Sequence, residues 1–280
     1  MFRSIRIPIR STSRCLSAKP EFERILEKWS GGEVRLEEKQ NGDLVEIIMS
    51  RQEKGNAFSG HMLRQFHYTT HKVSQMKSTG IVVLRGEGSN FCSGADLSMV
   101  EELVASKELG LVMNNFMSDA LQTLRTSPAI SIALVRGNCL GGSTELSSAC
   151  DIRIAHRKSK FGFWQGNLGL VPVWGGASYL VQTVGRSNAL MLMATTTTLS
   201  CEEAHRIGYV NRIFDTDDEA KEIIDSFLKN GVQVAQNQKM MVNALHRGRE
   251  GETDVVGKVW SSPIHKEMFG KQLDAVVKKK

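Results

Sequence analysis

Short apolar runs alternate with longer segments of helical periodicity along the first two thirds of the chain. Residues 81–84 and 130–135 are almost entirely apolar, which is typical of strands that are buried on both faces. Between these runs, residues 59–77 place apolar side chains three to four positions apart, which predicts one face of a helix. Strands and helices in this succession predict an α/β fold with parallel strands.

The flanking segments extend this pattern. Residues 33–50 predict a β-hairpin because two strand-like runs flank Asn41-Gly42-Asp43, and Asn-Gly favours a tight turn. Further helices are predicted from about residue 95 and over 114–126, and a further strand over 152–154. Beyond the βα succession, more helices are predicted over 178–194, 201–207, 218–229 and 232–247. The predicted organisation is a possible targeting or disordered segment (1–20), an α/β core (21–205) and a C-terminal helical region (206–280).

Composition and charge exclude several classes of protein. The 280 residues are 41% hydrophobic and contain no run of 18 apolar residues, so no membrane span is expected. The net charge is +6, but five positive charges and no acidic residue lie within 1–20, which leaves the rest nearly neutral. No basic stripe of the kind that binds nucleic acids is visible, so no nucleic-acid partner is predicted. The spaced arginines and hydroxyl residues of 1–20 resemble a mitochondrial transit peptide, and an uncleaved disordered N-terminus is the alternative.

The common cofactor motifs are missing from the sequence. The five cysteines are widely spaced without a CxxC pair, which disfavours a zinc ribbon or a redox dithiol. Gly86 and Gly88 follow a predicted strand, but Phe91 occupies the third glycine position of a dinucleotide-binding loop. No HExxH motif occurs, and the seven histidines show no cluster at ligand spacing. We therefore expect neither a metal nor a cofactor.

The strongest sequence indication of a functional site lies in two loops. Residues 91–97 (FCSGADL) and 138–145 (NCLGGSTE) each follow a predicted buried strand and lead into a helix. Small residues let a ligand approach the backbone, and the first N–H groups of a helix have no partner within the helix. Each loop alone is typical of a tight turn. The pair predicts two amides directed at one point, which is the arrangement of an oxyanion hole.

In these loops the chain resembles the crotonase superfamily, also called the enoyl-CoA hydratase/isomerase family, from about residue 34 to residue 214. The resemblance implies a crotonase-like spiral of ββα repeats with a C-terminal helical subdomain, assembled as a homotrimer or homohexamer, and an acyl-CoA thioester as the ligand. It also implies that the backbone amides of Ala95 and Gly142 hold the thioester oxygen and that Glu145 is a catalytic carboxylate. The residues expected to contact the substrate are Lys54, Asn56, Ala57, Ser93, Gly94, Asp96, Gly141, Gln165 and Trp174.

Departures from the family pattern decide the expected reaction. The second carboxylate of the hydratases aligns with Gln165, and an amide cannot exchange a proton as a carboxylate does. The Val173-Trp174 pair and residues 259–263 (VWSSP) resemble a decarboxylase subgroup that acts on ethylmalonyl-CoA and, less well, on methylmalonyl-CoA. This resemblance implies cofactor-free loss of CO2 through a thioester enolate, in metabolite proofreading. The alternatives are an enoyl-CoA hydratase-type lyase and a non-catalytic acyl-CoA-binding paralogue.

The sequence leaves more than one role open for several side chains. Glu145 could protonate the enolate, orient the substrate or a water, or stabilise a helix N-terminus. Asp96 is expected to cap a helix. Arg51 and Lys54 could meet CoA phosphates, and three tryptophans, at positions 164, 174 and 260, could form apolar walls. The decarboxylase resemblance implies the cytosol, whereas residues 1–20 favour the mitochondrial matrix, and both locations stay open.

Overall fold

A computed structural model of the chain describes residues 13–277. The strands are β1 (Glu33–Lys39), β2 (Leu44–Ser50), β3 (Ile81–Gly86), β4 (Ile130–Val135), β5 (Asn138–Leu140), β6 (Ile152–His156), β7 (Lys160–Gly162), β8 (Thr198–Ser200) and β9 (Arg212–Phe214). The helices are α1 (Ser13–Lys28), α2 (Gly60–Ser74), α3 (Leu97–Leu103), α4 (Lys107–Thr126), α5 (Gly142–Ala149), α6 (Ala177–Thr195), α7 (Cys201–Arg206), α8 (Asp217–Ser226), α9 (Val232–Ala244), α10 (Arg249–Val259) and α11 (Pro263–Val277).

Two sheets organise the chain. The larger has six strands in the order β1-β2-β3-β4-β6-β9, and the smaller has the order β5-β7-β8. Only β1 runs antiparallel in the larger sheet, where it forms the predicted hairpin with β2 and Leu36 pairs with Ile47. The pairs β2–β3, β3–β4, β4–β6 and β6–β9 are all parallel. The expected α/β class with parallel strands is therefore confirmed.

The larger sheet is buried on both faces, as its apolar runs predict. In β3, Val82 and Leu84 join the main core, which also contains side chains of α1, α2 and α4. Ile81 and Val83 point to the opposite face and pack in a second cluster with Ala220 of α8. Alternate side chains of one strand thus serve two cores, because successive residues of a strand face opposite sides.

The structure differs from the sequence prediction at several boundaries. The helix predicted over 114–126 begins seven residues earlier, at Lys107, because Ser106 caps it by accepting a hydrogen bond from the Leu109 N–H. Strand β9 and helix α8 lie in the predicted C-terminal helical region, yet both pack onto the larger sheet, which therefore extends beyond residue 205. Of the segment 1–20, residues 1–12 lie outside the described part, and α1 begins at Ser13. None of the helices within 13–277 is long and apolar enough to cross a bilayer.

A buried charge attaches α9 to the larger sheet. Lys239 is 5% exposed, and its Nζ lies 2.7 Å from Oδ2 of Asp151 and 2.6 Å from the carbonyl oxygen of Ala129. The same carboxylate accepts hydrogen bonds from the N–H and hydroxyl of Ser131 at the start of β4. This ion pair links the C-terminal helices to the strand that precedes the second chemical loop.

We expect Asp151→Asn to destabilise the fold strongly. The substitution keeps the side-chain shape but leaves the Lys239 ammonium buried without a counter-charge, which costs about 3–5 kcal/mol. Urea unfolding at pH 7 measures the change in the free energy of unfolding. The matched control is Glu267→Gln, which breaks the exposed pair with Lys271 on α11 and should cost no more than about 0.5 kcal/mol. Equal effects of the two substitutions would contradict the anchoring role.

Candidate active site

The two loops predicted to carry chemistry lie side by side. The Cys92 N–H donates to the carbonyl of Asn138 (3.0 Å), and the Leu140 N–H donates to the carbonyl of Cys92 (3.1 Å). Cys92 and Cys139 therefore pair as a parallel bridge, which places Ala95 and Gly142 at equivalent positions, each three residues further along. The loops also approach closely beyond the bridge.

Gly94 is the point of closest approach between the loops. Its backbone has a φ of +94°, and a Cβ there would lie 3.1 Å from the Gly142 nitrogen and 2.9 Å from the Leu140 carbonyl oxygen. A side chain at this position would therefore force the two loops apart. The absence of one allows the amides of residues 95 and 142 to belong to a single site.

The Ala95 amide is free because of how its neighbours bond. Phe58 donates its N–H to the carbonyl of Gly94 (2.8 Å), and Asp96 donates its N–H to the carbonyl of Phe58 (2.9 Å). These two hydrogen bonds engage the Gly94 carbonyl and the Asp96 N–H, which both face Phe58. The N–H of Ala95, between them, therefore points away from Phe58. That N–H donates no hydrogen bond within residues 13–277.

The Gly142 amide is free because it begins a helix. Gly141 is the N-cap of α5, with a φ of +57°, and its carbonyl accepts the Thr144 N–H (3.0 Å). In the described part of the chain the Gly142 N–H has no acceptor, as expected for the first residue of a helix. The aligned peptide dipoles of α5 add partial positive charge at this end. Ala95 and Gly142 thus offer the two unpaired donors that an oxyanion hole requires.

The indole of Trp174 covers the Gly142 side of the site. Trp174 is only 2% exposed, and a Cβ on Gly142 would lie 2.8 Å from its ring. The ring centroid of Trp174 also lies 5.7 Å from that of Phe58, whose backbone supports Ala95. One aromatic contact therefore joins the surroundings of both amides and supplies an apolar wall.

The carboxylate of Glu145 holds the loop that carries Trp174. Glu145 is 3% exposed and lies on α5, three residues after Gly142. Its Oε2 accepts the N–H groups of Trp174 (2.9 Å) and Gly176 (2.8 Å). Its Oε1 accepts the N–H of Val173 and the Nε2 of Gln165, both at 3.1 Å. These four donors match the approximately four lone-pair sites of a carboxylate.

The protonation of Glu145 follows from two opposing influences. Burial raises the pKa of Glu145 to about 7, although the four hydrogen bonds act in the opposite direction. With all its acceptor sites engaged, the carboxylate can take a proton only by giving up one of these donors. Its geometry is that of a group that orients the Trp174 loop, which is one of the interpretations left open by the sequence.

Gln165 presents a buried acceptor without a partner. The residue is 7% exposed and lies in a single 3-10 turn, Trp164–Leu168. Its Nε2 is fixed by the bond to Glu145, so its Oε1 faces the other way, and this oxygen has no hydrogen-bond partner among the described residues. A buried amide oxygen without a donor is costly, which indicates that a water or a ligand satisfies it.

Helix α4 also supports the Trp174 loop. The Nδ2 of Asn114 donates to the carbonyl of Val173 (3.1 Å), and Ser118 packs directly against Gly175. Neither residue was identified from the sequence, because nothing in the pattern of a surface-like amphipathic helix distinguishes them. The loop is therefore held between two helices, α4 and α5.

The structure corrects two expected ligand contacts of the early loop, residues 51–58, those of Asn56 and Arg51. The Asn56 side chain is fully buried, accepting the Arg51 N–H and donating to the carbonyls of Glu87 and Asn90, so it stabilises the loop instead of facing a ligand. The Arg51 guanidinium lies 2.8 Å from Asp96 and is not free for a phosphate. Ala57 is also buried, with its carbonyl accepting from Arg51. Lys54 is exposed, and its predicted contact with CoA stays a prediction.

Asp96 has the role expected of a capping residue. Its Oδ1 accepts the Ser98 N–H at the start of α3, and its pKa is lowered by the Arg51 guanidinium and this backbone bond against the effect of burial. Ser93 is exposed, and its hydroxyl donates to the carbonyl of Gly55. Ser93 and Asp96 thus join the first chemical loop to the early loop.

Two of the three tryptophans are exposed, unlike Trp174. Trp260 is 70% exposed at the junction of α10 and α11, and Trp164 is 39% exposed with its Nε1 bonded to Thr198. The sequence could not distinguish them from Trp174, because their burial depends on long-range packing. The cysteines at 92, 139, 150 and 201 are free and buried. Burial raises the pKa of Cys139 to about 11, so a nucleophilic thiolate is not favoured here.

We predict that the charge of Glu145 makes stability depend on pH. Its folded pKa of about 7 lies above the ordinary value of 4.5, so its contribution is fully present below pH 4.5 and is lost as pH rises through 7. The wild type should lose about 2–3 kcal/mol between pH 5 and pH 8 relative to Glu145→Gln. Urea unfolding of both proteins at the two pH values measures this difference. The amide of Glu145→Gln destabilises the variant equally at both pH values, so this cost cancels in the comparison. An equal change in the free energy of unfolding of the two proteins between pH 5 and pH 8 would refute the prediction.

Comparisons with known proteins agree with the geometry. A family model described as enoyl-CoA hydratase/isomerase matches residues 39–280. A rat protein named ethylmalonyl-CoA decarboxylase is 33% identical over 263 residues, covering 90% of this chain and 87% of its own. The zebrafish protein of the same name is 32% identical over 250 residues, covering 85% and 82%.

Solved structures share the fold. An enoyl-CoA hydratase from Thermoplasma volcanium superposes with a TM-score of 0.78 at 28% identity, covering 85% of this chain and 96% of its own. A protein from Thermobifida fusca, described as a putative enoyl-CoA hydratase in complex with acetoacetyl-CoA, gives a TM-score of 0.71 at 24% identity and covers 90% and 98%. The expected crotonase fold is thus confirmed, and the chain belongs to the enoyl-CoA hydratase/isomerase family.

Proposed function

We propose that this protein is a cofactor-free decarboxylase of a short branched 2-carboxyacyl-CoA, with ethylmalonyl-CoA and, less well, methylmalonyl-CoA as substrates. The observation that carries the proposal is the pair of unpaired amides at Ala95 and Gly142, placed together by the bridge between their loops. The relatives named ethylmalonyl-CoA decarboxylase support this choice of reaction. The decarboxylase resemblance implies that this substrate is a side product of fatty-acid synthesis, and its removal would be the metabolite-proofreading role.

The reaction needs an electron sink, and the thioester provides it. The bond between the α-carbon and the carboxylate breaks, CO2 leaves, and the bonding electron pair moves into an enolate whose negative charge lies on the thioester oxygen. The N–H groups of Ala95 and Gly142 stabilise that oxygen, and the partial positive charge at the N-terminus of α5 acts at the same place. The enolate carbon then takes up one proton to give the saturated acyl-CoA.

The apolar wall assists the departure of CO2. A carboxylate loses stabilising hydration when it lies against an indole, whereas CO2 is uncharged and loses nothing. Trp174 occupies such a position beside Gly142, and the three backbone hydrogen bonds from its loop to Glu145 keep it there. In this proposal Glu145 acts as a positioning residue for Trp174.

The proton is proposed to come from a water held by Gln165. The Oε1 of Gln165 is buried and has no partner among the described residues, and it can accept a hydrogen bond from a water molecule whose other proton goes to the enolate carbon. The hydroxide that remains combines with the released CO2 to give bicarbonate. Its orientation is set by the bond from Nε2 to Glu145. Hydration of an enoyl-CoA is the second candidate reaction, and the amide at position 165 disfavours it because one proton-exchanging carboxylate is missing.

The remaining proposals concern binding and assembly. Lys54 is exposed beside the first loop and is suited to a CoA phosphate. A homotrimer or homohexamer is supported by exposed large apolar side chains on the last three helices and the turn after α9, because such surfaces favour association. These side chains are Val242, Leu245, Val256, Trp260, Phe269, Leu273 and Val276.

The reaction class is tested by incubating the purified protein with four thioesters. Ethylmalonyl-CoA, methylmalonyl-CoA, malonyl-CoA and crotonyl-CoA are followed separately by mass spectrometry. We expect loss of CO2 from the branched substrates, with the ethyl substrate fastest, and little addition of water to crotonyl-CoA. Rapid hydration of crotonyl-CoA would support the alternative lyase. Tight CoA-ester binding without turnover of any of the four would identify a non-catalytic paralogue.

The oxyanion hole is tested with matched substitutions at Gly142. Proline is accepted at the first position of a helix but has no N–H, whereas alanine keeps that donor. Because a Cβ at 142 meets the indole, both substitutions are made in the Trp174→Ala background. We expect Gly142→Pro to turn over about 10²–10³ times more slowly than Gly142→Ala, which is the usual effect of losing one oxyanion donor.

Controls for this comparison separate folding from chemistry. Circular dichroism and binding of a CoA ester establish that both double variants fold and retain the ligand. Equal turnover by two folded, ligand-binding variants would show that the Gly142 amide does not hold the thioester oxygen.

A further inference from the structure

A cluster of three potential metal ligands lies on the face shared by α2 and α4. His67 and His71 are four residues apart on α2, so their side chains project from the same face of the helix. The Nε2 atoms lie 2.9 Å and 2.8 Å, respectively, from the same oxygen of Asp119 on α4. The cluster contradicts the expectation that the histidines lack ligand spacing, because His67 and His71 share a helical face and Asp119 reaches them from a distant part of the sequence.

The three ligand atoms match the requirements of a transition metal. They lie within 4.8 Å of one another, and two imidazoles with one carboxylate are common ligands of Zn²⁺. Bonds of about 2.0–2.1 Å to a tetrahedral zinc ion would hold the ligand atoms roughly 3.3 Å apart. Asp119 would therefore retreat by roughly half an ångström from its present hydrogen bonds. Its side chain is 55% exposed, which leaves room for this movement.

The surroundings prepare the histidines to act as ligands. The ring of His67 stacks on Phe116 of α4, with centroids 4.3 Å apart, so its orientation is fixed from the other helix. His71 and Asp119 are more exposed, at 42% and 55%, so water can reach the remaining coordination positions.

We propose that His67, His71 and Asp119 form a binding site for a borderline divalent cation such as Zn²⁺ or Ni²⁺. The bound ion would replace the shared hydrogen bonds with coordinate bonds and would join α2 to α4. Both helices lead to the candidate active site: α2 begins just after Phe58, and α4 carries Asn114 and Ser118, which support the Trp174 loop. The site is independent of the proposed decarboxylation and plays no part in its chemistry.

Metal binding is measured by isothermal titration calorimetry of the full chain with ZnCl2, NiCl2 and MgCl2. We expect one strong Zn²⁺ or Ni²⁺ equivalent per chain at pH 7.5 and no matching Mg²⁺ binding, because Mg²⁺ prefers oxygen ligands. His71→Ala and Asp119→Asn should each weaken Zn²⁺ binding by about tenfold or more, since each removes a ligand or its charge. Saturating Zn²⁺ should raise the melting temperature of the wild type and leave that of His71→Ala almost unchanged.

His246→Ala is the matched control. His246 is also exposed, but its ring bonds to the carbonyl of Asn243 and it belongs to no ligand cluster within residues 13–277. Its substitution should leave Zn²⁺ affinity and the melting shift unchanged. Wild-type binding weaker than about 1 mM, or equal affinity in the wild type and His71→Ala, would overturn the proposal and leave a hydrogen-bonded clamp between the helices.

Discussion

The four hydrogen bonds accepted by Glu145 are the constraint on which the candidate site depends. Three of them join α5 to the loop that carries Trp174, 28 to 31 residues further along the chain, and the fourth comes from Gln165. Because the carboxylate is buried, each donor it lost would expose an uncompensated polar group to an apolar surrounding. The position of the indole over Gly142 therefore follows from the hydrogen bonds of one buried side chain. Asn114 and Ser118 complete the support.

Helix α5 shows how a polar helix can be buried with only one end left open. Its residues from Ser143 to Ala149 are all buried, although most of them are polar. At the C-terminal end, the Arg153 guanidinium donates to the carbonyls of Ser147 and Cys150. Along its side, the Tyr209 hydroxyl meets the hydroxyls of Ser147 and Ser148. The groups within the helix are thus satisfied, while the Gly142 amide at its beginning has no acceptor in the described part of the chain.

The sequence predicted those features that depend on local pattern. The runs at 81–84 and 130–135 became strands because both of their faces are covered, and the two small-residue loops lie together because they follow adjacent parallel strands. Asp96 caps its helix through a bond to a residue two positions away. Each of these features depends on residues that are close together in the chain, or on two strands that are neighbours in a parallel α/β sheet.

Long-range pairings could not be predicted in the same way. The pairing of Arg51 with Asp96 removes a cation from the expected ligand surface, but neither loop reveals the other as its partner. Asn56 is polar and was expected to contact a ligand, yet its side-chain amide accepts one backbone N–H and donates to two carbonyls of another loop. The role of Glu145 was left open for the same reason, since its partners lie some twenty to thirty residues further along.

The contact between the amide of Gln165 and Glu145 determines which proton transfers the two side chains can support. The two side chains are separated by 3.1 Å, so a carboxylate at 165 would place two buried negative charges in contact, and one of them would have to be protonated. Such a shared proton suits a reaction that moves protons between enzyme and substrate. The amide instead donates a hydrogen bond to Glu145 and carries no charge of its own. Glu145 then serves as the acceptor that positions Trp174, and the oxygen of Gln165 stays without a partner among the described residues. For the proposed decarboxylation this division is sufficient, because the thioester takes the electrons and only one proton must arrive.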